Sequence, residues 1–513
     1  SDYLVADASS PSGYVLRNPA FAFFPGGYNP DFGADLTDFG WVVGAKGTTG
    51  GDLSWDTRVR LAESEVDYVL SETINPSLGG LSPTDFKPGT LTQEETSLNA
   101  DFVKPFEVDA LASPLNFAFG FEYRDETYKI GAGDPASIEA GPTAAIFGVG
   151  SDGFQGFPNE SAGSFSSESL AGYLDLEADL SDRFSGGLAL RFEDYDVFGS
   201  TFDWKVSGRF DVTDKFALRG TANTGFRAPT PGQVNTLNVT TSADASGNLI
   251  PSGVYPVDHP VAIALGSVAL VPEESTSFTV GLVASPSPTT SITLDYYDIS
   301  IDDRLALQNN IVTEADLPVL TAAGVTNANL LLGSIANFFS NAYDSDITGI
   351  DLALTKYFDV ASGLFTVEFR QNINEQNVSN VGAGTINASR VFDLENQVPE
   401  QRSNLTVSYD SGKMFAGYIR ANHYGSWKST GGLFSAGDAS DVSSYGAETL
   451  VDIEVKFSFA DNYEFAIGGD NVFDTLPDDE LDPVLQFLGV TGSLTSPFGF
   501  NGGHWYARIS VDF

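Results

Sequence analysis

Carboxylates form the densest group of side chains that could do chemistry in this sequence. Asp478, Asp479, Glu480 and Asp482 stand within five consecutive residues, and Ca²⁺ prefers such hard oxygen ligands. The run lacks the glycine and the ligand spacing of an EF-hand loop. It therefore predicts either a weak calcium site or a hydrated acidic loop, which is the ordinary role of a charge run.

Catalytic groups are sparse. His259, His423 and His504 are far apart and share no metal-ligand spacing, and cysteine is absent, which excludes disulfides, thiol nucleophiles and cysteine-bound metals. A Ser/His/Asn site, as in an outer-membrane lipase, stays open from residue types, but no Gly-x-Ser-x-Gly elbow supports it. We expect no catalytic residue, no cofactor and a protein that is not an enzyme.

Aromatic residues collect in segments rich in glycine, serine and asparagine. Such residues enrich ligand pockets, where they would form a vestibule, but they also form the interfacial belts of membrane proteins. We assign no substrate contact to them. The residues concerned are Phe338, Phe339, Tyr343, Trp427, Phe434 and Phe487.

The segments that carry these groups have a period of two, which predicts strands. Between residues 170 and 180, apolar residues alternate with Asp175, Glu177 and Asp179. Between residues 451 and 459 the polar face includes Asp452 and Glu454. The last nine residues alternate in the same way, and we expect the charged face to line an interior.

Strand length and connection length distinguish a membrane barrel from a soluble sandwich. The strands reach the 9–11 residues that cross a bilayer at a tilt, and tight turns alternate with long polar connections, as in outer-membrane barrels. The tight turns are at 180–183, 212–215, 410–413 and 460–462. The long connections are at 67–93, 130–163, 228–272, 304–342, 377–398, 428–443 and 474–501.

Counting back from Phe513 gives about seventeen strands of an all-β, antiparallel, up-and-down transmembrane barrel, with Phe39–Lys46 as the first strand. We expect residues 1–38 to be the tail of an extracellular loop and residues 39–513 to be barrel. The complete barrel is expected to have about 22 strands, the size of a plugged transporter. An empty pore of that width would leak, so the N-terminal strands and a plug domain are expected in a longer gene product.

Net charge limits the partners. With 69 acidic and 25 basic residues the formal charge is −44, which excludes nucleic acid because phosphate contacts need clustered cations. An aromatic content of 12% argues against disorder. The acidity suits a surface in a salty medium, and so a marine or salt-adapted organism. The sequence contains no run of 18 apolar residues, so it predicts no membrane-spanning helix.

Several motifs, in this order, resemble the barrel of TonB-dependent receptors of Gram-negative outer membranes. The plug domain and the energy-coupling box of that family have no counterpart in this sequence. The motifs are Phe119–Arg124, Gly133–Ser137, Gly225–Thr230, Pro272–Ser275, Leu294–Arg304, Asn471–Asp474 and Phe498–Gly503.

The resemblance implies active import of a small-molecule nutrient: siderophore-bound iron, haem, cobalamin or a saccharide. The implied partners are the TonB–ExbB–ExbD complex, acting through the absent plug, the barrel-assembly machinery, and outer-membrane lipid and lipopolysaccharide. Trp505, Ile509, Val511 and Phe513 resemble the assembly signal, although they also suit a lipid-facing stripe. Sparse Arg and Lys favour neutral or cationic cargo. A passive porin, or a surface adhesin or phage-docking barrel, is the alternative.

Overall fold

A computed structural model describes residues 4–6, 14–16, 19–144, 147–243, 249–308, 310–325, 328–431, 437–459, 462–487 and 489–511. Its main feature is a barrel of seventeen strands. In chain order they are β1 Asp31–Thr48, β2 Ser54–Ser71, β3 Phe86–Phe106, β4 Leu115–Gly131, β5 Gly163–Ser181, β6 Phe184–Tyr195, β7 Gly199–Thr213, β8 Phe216–Arg227, β9 Glu273–Ser287, β10 Thr290–Leu307, β11 Phe339–Val360, β12 Gly363–Ser379, β13 Gln401–Asp410, β14 Phe415–Tyr424, β15 Glu448–Phe459, β16 Tyr463–Asp470 and β17 His504–Val511.

Every strand pairs antiparallel with the next strand along the chain. This up-and-down order confirms the expected fold and strand number. Because the number is odd, β1 and β17 run in the same direction. The 22-strand total stays a prediction.

The expected start of the barrel at residue 39 is wrong. Strand β1 begins at Asp31, which pairs with Ser71 of β2. Phe32, Ala34 and Leu36 alternate there with polar residues or glycine, so the period of two continues beyond the length needed to cross a bilayer. The part of the strand beyond that length was mistaken for loop.

Period two divides the wall into two faces. Leu170, Ile419 and Ile509 are 60%, 60% and 70% exposed on the outer face. Their neighbours on the other face line interior cavities, as Asp175 does, or are buried, as Asp452 is. The outer face therefore offers apolar surface to lipid, as a transmembrane barrel requires.

Connection lengths alternate around the barrel. At one rim, short turns join β5 to β6, β7 to β8 and β13 to β14 at the predicted places, while residues 460 and 461 of the fourth predicted turn lie outside the described part. At the other rim the connections are 72–85, 132–162, 196–198, 228–272, 308–338, 380–400, 425–447 and 471–503. The first was predicted too long, because β2 and β3 extend past the membrane-crossing length.

Shorter elements lie outside the barrel wall. The α-helices are Ala20–Phe23, Pro135–Ile138, Pro231–Asn235, Pro260–Ala264, Leu317–Ala322, Ala388–Asn396 and Pro483–Phe487, with 3₁₀ helices at Pro76–Leu81 and Ala328–Leu331. The short strands are Leu4–Ala6, Tyr14–Leu16, Asn238–Ala243, Leu249–Val254, Asn310–Ile311, Ile335–Asn337, Trp427–Ser429 and Ser443–Tyr445. Within the described ranges, no helix has both the length and the apolarity needed to span a membrane.

Candidate functional site

Ion pairs on the interior wall reach across a glycine on the strand between them. Arg219 on β8 and Asp295 on β10 both lie opposite Gly281 on β9. Arg219 donates two hydrogen bonds to the Asp295 carboxylate, at 2.8 and 2.6 Å. A Cβ on Gly281 would lie only 2.8 Å from Asp295 Cγ. Glycine therefore gives the ion pair the space to cross a strand.

The same arrangement recurs at the end of the chain. Tyr506 on β17 donates a 2.8 Å hydrogen bond to Glu454 on β15, and both residues lie opposite Gly468 on β16. A Cβ there would lie 2.6 Å from the Tyr506 hydroxyl oxygen. Arg508 lies 3.2 Å from the same carboxylate. Glu454 thus holds the last three strands together on the inside, where the sequence predicts it.

An interior cavity of about 1110 Å³ lies against β4–β11. Its charged lining includes four carboxylates and three cations, so the wall is nearly balanced there. These groups are Asp175, Asp203, Asp295, Asp351, Arg191, Lys205 and Arg219. Glu177 and Asp179 line a second cavity of about 410 Å³. The predicted interior position of the β5 carboxylates is confirmed.

On strands β13–β15, amide side chains make the hydrogen bonds along the interior wall. The Asn404 amide donates to Asn422 at 2.6 Å, and the Asn422 amide donates to Asp452 at 2.8 Å. Asp452 also accepts the backbone N–H of Asn471 at 2.9 Å. A chain of hydrogen bonds that ends on the Asp452 carboxylate therefore crosses β13–β15 and fixes the point where the last long connection begins.

Motifs that lie far apart in the sequence meet at the long-connection rim. Glu273, which is 6% exposed, accepts a 2.7 Å hydrogen bond from Arg227 and another of 2.7 Å from the backbone N–H of Leu305. Asp474 accepts the N–H of Gly503 at 2.9 Å. These motifs therefore close the ends of neighbouring strands.

Connections 228–272 and 308–338 fold together into a cap over the rim. Their short strands form a four-stranded sheet, and their core is small and apolar. Leu320 is completely buried in that core, and the other buried members are Val261, Val312, Ala328 and Ala336. His259 caps the helix Pro260–Ala264, its Nδ1 accepting the Val261 N–H at 3.2 Å, and burial lowers its pKa.

A cavity of about 400 Å³ lies between the barrel wall and this cap. Gln93 and Tyr128, which pair across β3 and β4, line it on the wall side together with Glu126. Pro231, Gly232 and Gln233 line it from the cap, and Leu307 and Phe339, where β10 ends and β11 begins, complete the lining. We call this space the mouth cavity, because it lies at the long-connection rim.

The acidic run at 478–482 is built into a second packed group of connections. Glu480 is 2% exposed and accepts hydrogen bonds from the Tyr445 hydroxyl at 2.9 Å and from two backbone N–H groups at 2.8 and 2.9 Å. Asp482 accepts the Leu485 N–H, and Asp478 accepts the Gly446 N–H. No group of three potential metal ligands occurs within the described ranges. Calcium binding by Asp478, Asp479, Glu480 and Asp482 stays a prediction.

Most of the described aromatic residues of the expected vestibule are buried. Phe338, Tyr343 and Trp427 are 0%, 6% and 2% exposed, whereas Phe339 lines the mouth cavity. Phe434 and the side chain of Phe487 lie outside the described part of the chain.

Of the assembly-signal residues, Trp505 and Ile509 are exposed on the outer face, Val511 ends β17, and Phe513 is not described. Their role in assembly stays a prediction. Sequence reasoning missed the mouth cavity, because its lining comes from segments more than 200 residues apart.

A family model described as TonB dependent receptor-like, beta-barrel matches residues 1–472. No curated protein matches the sequence. Solved structures with similar folds include the siderophore receptor PirA from Acinetobacter baumannii, with 17% identity and a TM-score of 0.61, covering 93% of this chain and 62% of PirA.

Two further structures have similar folds. One is a variant of the ferric enterobactin receptor PfeA from Pseudomonas aeruginosa in complex with enterobactin, with 13% identity, a TM-score of 0.62 and coverage of 93% of this chain and 62% of PfeA. The other is the ferric yersiniabactin uptake receptor FyuA from Yersinia pestis, with 13% identity, a TM-score of 0.55 and coverage of 94% and 63%. At these identities the likeness establishes the fold, and the chain spans less than two thirds of each relative.

Proposed function

Because the chain belongs to the TonB-dependent receptor-like β-barrel family, whose members are transporters of the Gram-negative outer membrane, we propose that it imports a scarce nutrient with energy from TonB. The nutrient binds among the long connections at the extracellular rim and then passes through the barrel interior. Candidate classes are siderophore-bound iron, haem, cobalamin and a saccharide. The chain's own role is selective binding without catalysis.

The observation that carries the proposal is the mouth cavity. It opens between the barrel wall and a cap that has its own buried core, so a ligand captured from outside meets folded protein before it reaches the interior. Pockets of about 300–1,000 Å³ are typical of small-molecule sites, and this cavity of about 400 Å³ falls within that range. A passive pore has no need of a site that retains its solute.

Energy coupling through a plug domain that contacts TonB belongs to the proposal. So do folding by the barrel-assembly machinery and contact with lipopolysaccharide. These partners are proposed from the family, whose members use a plug inside the barrel to block the pore.

The test compares nutrient uptake in three strains of the native organism: wild type, a deletion of this gene and a deletion of tonB. We expect each deletion to abolish accumulation of the same labelled nutrient from dilute medium, and a plasmid copy of this gene to restore it only in the first mutant. Uptake that survives loss of TonB but not loss of this gene would identify a passive channel. Uptake unaffected by either deletion would favour the adhesin or phage-docking alternative.

A further inference from the structure

The charges that line the mouth cavity limit which ligands it accepts. Among the lining residues that the structure describes, Glu126 is the only charged one. The nearest cation to it in an ion pair is Arg124, whose Nη1 lies 3.8 Å from Glu126 Oε1, while other carboxylates occupy the same stretch of wall. In the described part of the lining an anionic ligand would therefore meet a carboxylate and no cation.

Aromatic and apolar side chains share the lining of the cavity. Tyr128 packs against the backbone of Gly232, where an added Cβ would make an ordinary 3.6 Å contact with the ring. Leu307 and Phe339 pair across β10 and β11, and both line the cavity. A flat ligand group suits such a lining, because aromatic faces favour stacked contacts.

Neutral polar groups complete the lining. Gln233 accepts the Thr230 N–H at 3.0 Å through Oε1 in a capping box, and its Nε2 makes no hydrogen bond to any residue that the structure describes. Gln93 likewise has no side-chain partner in the described ranges. Two amides are therefore free to bond to hydroxyl or carbonyl oxygens of a ligand.

We infer that the mouth cavity binds an uncharged or singly cationic ligand group with a flat apolar face, and that it rejects anionic ligands. The inference rests on the function proposed above and names the class of its substrate. Glu126 excludes anions, Tyr128 and Phe339 hold the apolar face, and Gln93 and Gln233 bind oxygen atoms. A ferric trihydroxamate, in which three hydroxamates balance the ferric ion, and a neutral oligosaccharide both have this chemistry, whereas a ferric triscatecholate is strongly anionic.

The test measures equilibrium binding of these three probes to native outer membranes that carry the protein. We expect at least one neutral probe to bind and the triscatecholate to bind at least tenfold more weakly. Tyr128→Ala should weaken the neutral probe about tenfold, through loss of an aromatic contact, whereas Tyr128→Phe should stay within about twofold of wild type. The two neutral probes distinguish a metal chelate from a saccharide.

Charge is tested separately. Glu126→Gln should strengthen triscatecholate binding several-fold relative to the binding of the neutral probes. Glu94→Gln is the matched control, because Glu94 lies one residue out of register with Glu126, on the opposite face of the wall. Tighter binding of the triscatecholate than of both neutral probes, no response to Tyr128→Ala, or no binding of any probe would each overturn the inference. The TonB dependence of uptake is read independently, so that the proposed function stands or falls on its own result.

Discussion

At the scale of single residues, Glu273 connects the ends of neighbouring strands, a role that its sequence motif does not reveal. Its carboxylate bonds to Arg227 and to the backbone of Leu305, so Glu273→Gln removes a charged acceptor from two strand ends. We expect the free energy of unfolding to fall by about 1–3 kcal/mol. The value should lie towards the low end of that range, because the Arg227 side chain is 58% exposed.

Hydrogen exchange of the peptides that contain residues 225–228 and 303–307 checks this expectation, since their protection should fall. Glu274→Gln is the control, because Glu274 points to the outer face of the same strand. Equal effects of the two substitutions would contradict a specific role for Glu273.

Tyr445 makes the packing of the second group of connections sensitive to pH. Burial and the hydrogen bond to Glu480 raise the pKa of Tyr445 from 10.0 to about 12. A raised pKa in the folded state means that the stability is fully present below pH 10 and is lost as pH rises through about 12. We expect connections 425–447 and 471–503 to lose exchange protection in that window.

The Tyr445→Phe variant should show a smaller loss between the same pH values, because it has no phenol to ionise beside the carboxylate. The comparison is made by hydrogen exchange at a fixed chemical exchange time. An identical alkaline transition in the variant would assign the effect to another group.

At the scale of elements, the cap folds around a core of its own. Leu320→Ala should cost about 2–5 kcal/mol, the range for a buried leucine, and should release connections 228–272 and 308–338 while the barrel stays intact. Hydrogen exchange of the cap peptides measures the unfolding of the cap. Resistance of the barrel to unfolding in detergent shows whether the barrel stays intact. Val319→Ala, at a neighbouring position 47% exposed, is the control. Simultaneous unfolding of the barrel would mean that cap and barrel form one cooperative unit.

The two faces of a strand should respond differently to charge. Ile419 is 60% exposed on the outer face of β14, and Ile419→Arg should cost up to about 2–4 kcal/mol near the bilayer midplane. The inward-facing Ser408 on β13, opposite Tyr418, is the matched position, and Ser408→Arg should be tolerated better. The yield of folded barrel and its unfolding in lipid vesicles measure both. An equal penalty would contradict the assignment of faces.

At the scale of the whole molecule, a net charge of −44 makes self-repulsion part of the energetics. Salt shortens the range of that repulsion, so the melting temperature of the long connections should rise between about 0.01 and 0.5 M sodium chloride. Sucrose of matched osmolality is the control, because it screens no charge. A melting temperature independent of salt would remove the support for adaptation to a salty medium.

Much of the barrel could be read from the sequence alone. Alternation at residues 170–180 and 451–459 decides which residues share a face, because successive side chains on a strand point to opposite sides. Tight turns and long polar connections then determine the order of strands. Alternation does not show how far a strand continues beyond the bilayer, which is why the start of β1 at Asp31 and the length of connection 72–85 were missed.

Tertiary structure alone decided what the connections do. Tyr128 meets Thr236 across 108 positions of sequence, and Arg219 meets Asp295 across 76, through contacts that depend on strand register and not on local pattern. The aromatic residues predicted as a vestibule could equally line a pocket or fill a core, and packing placed Phe338 in a core and Phe339 in the mouth cavity. The sequence therefore determined the wall of this receptor-family barrel, whereas folding of distant connections created the cavity at its mouth.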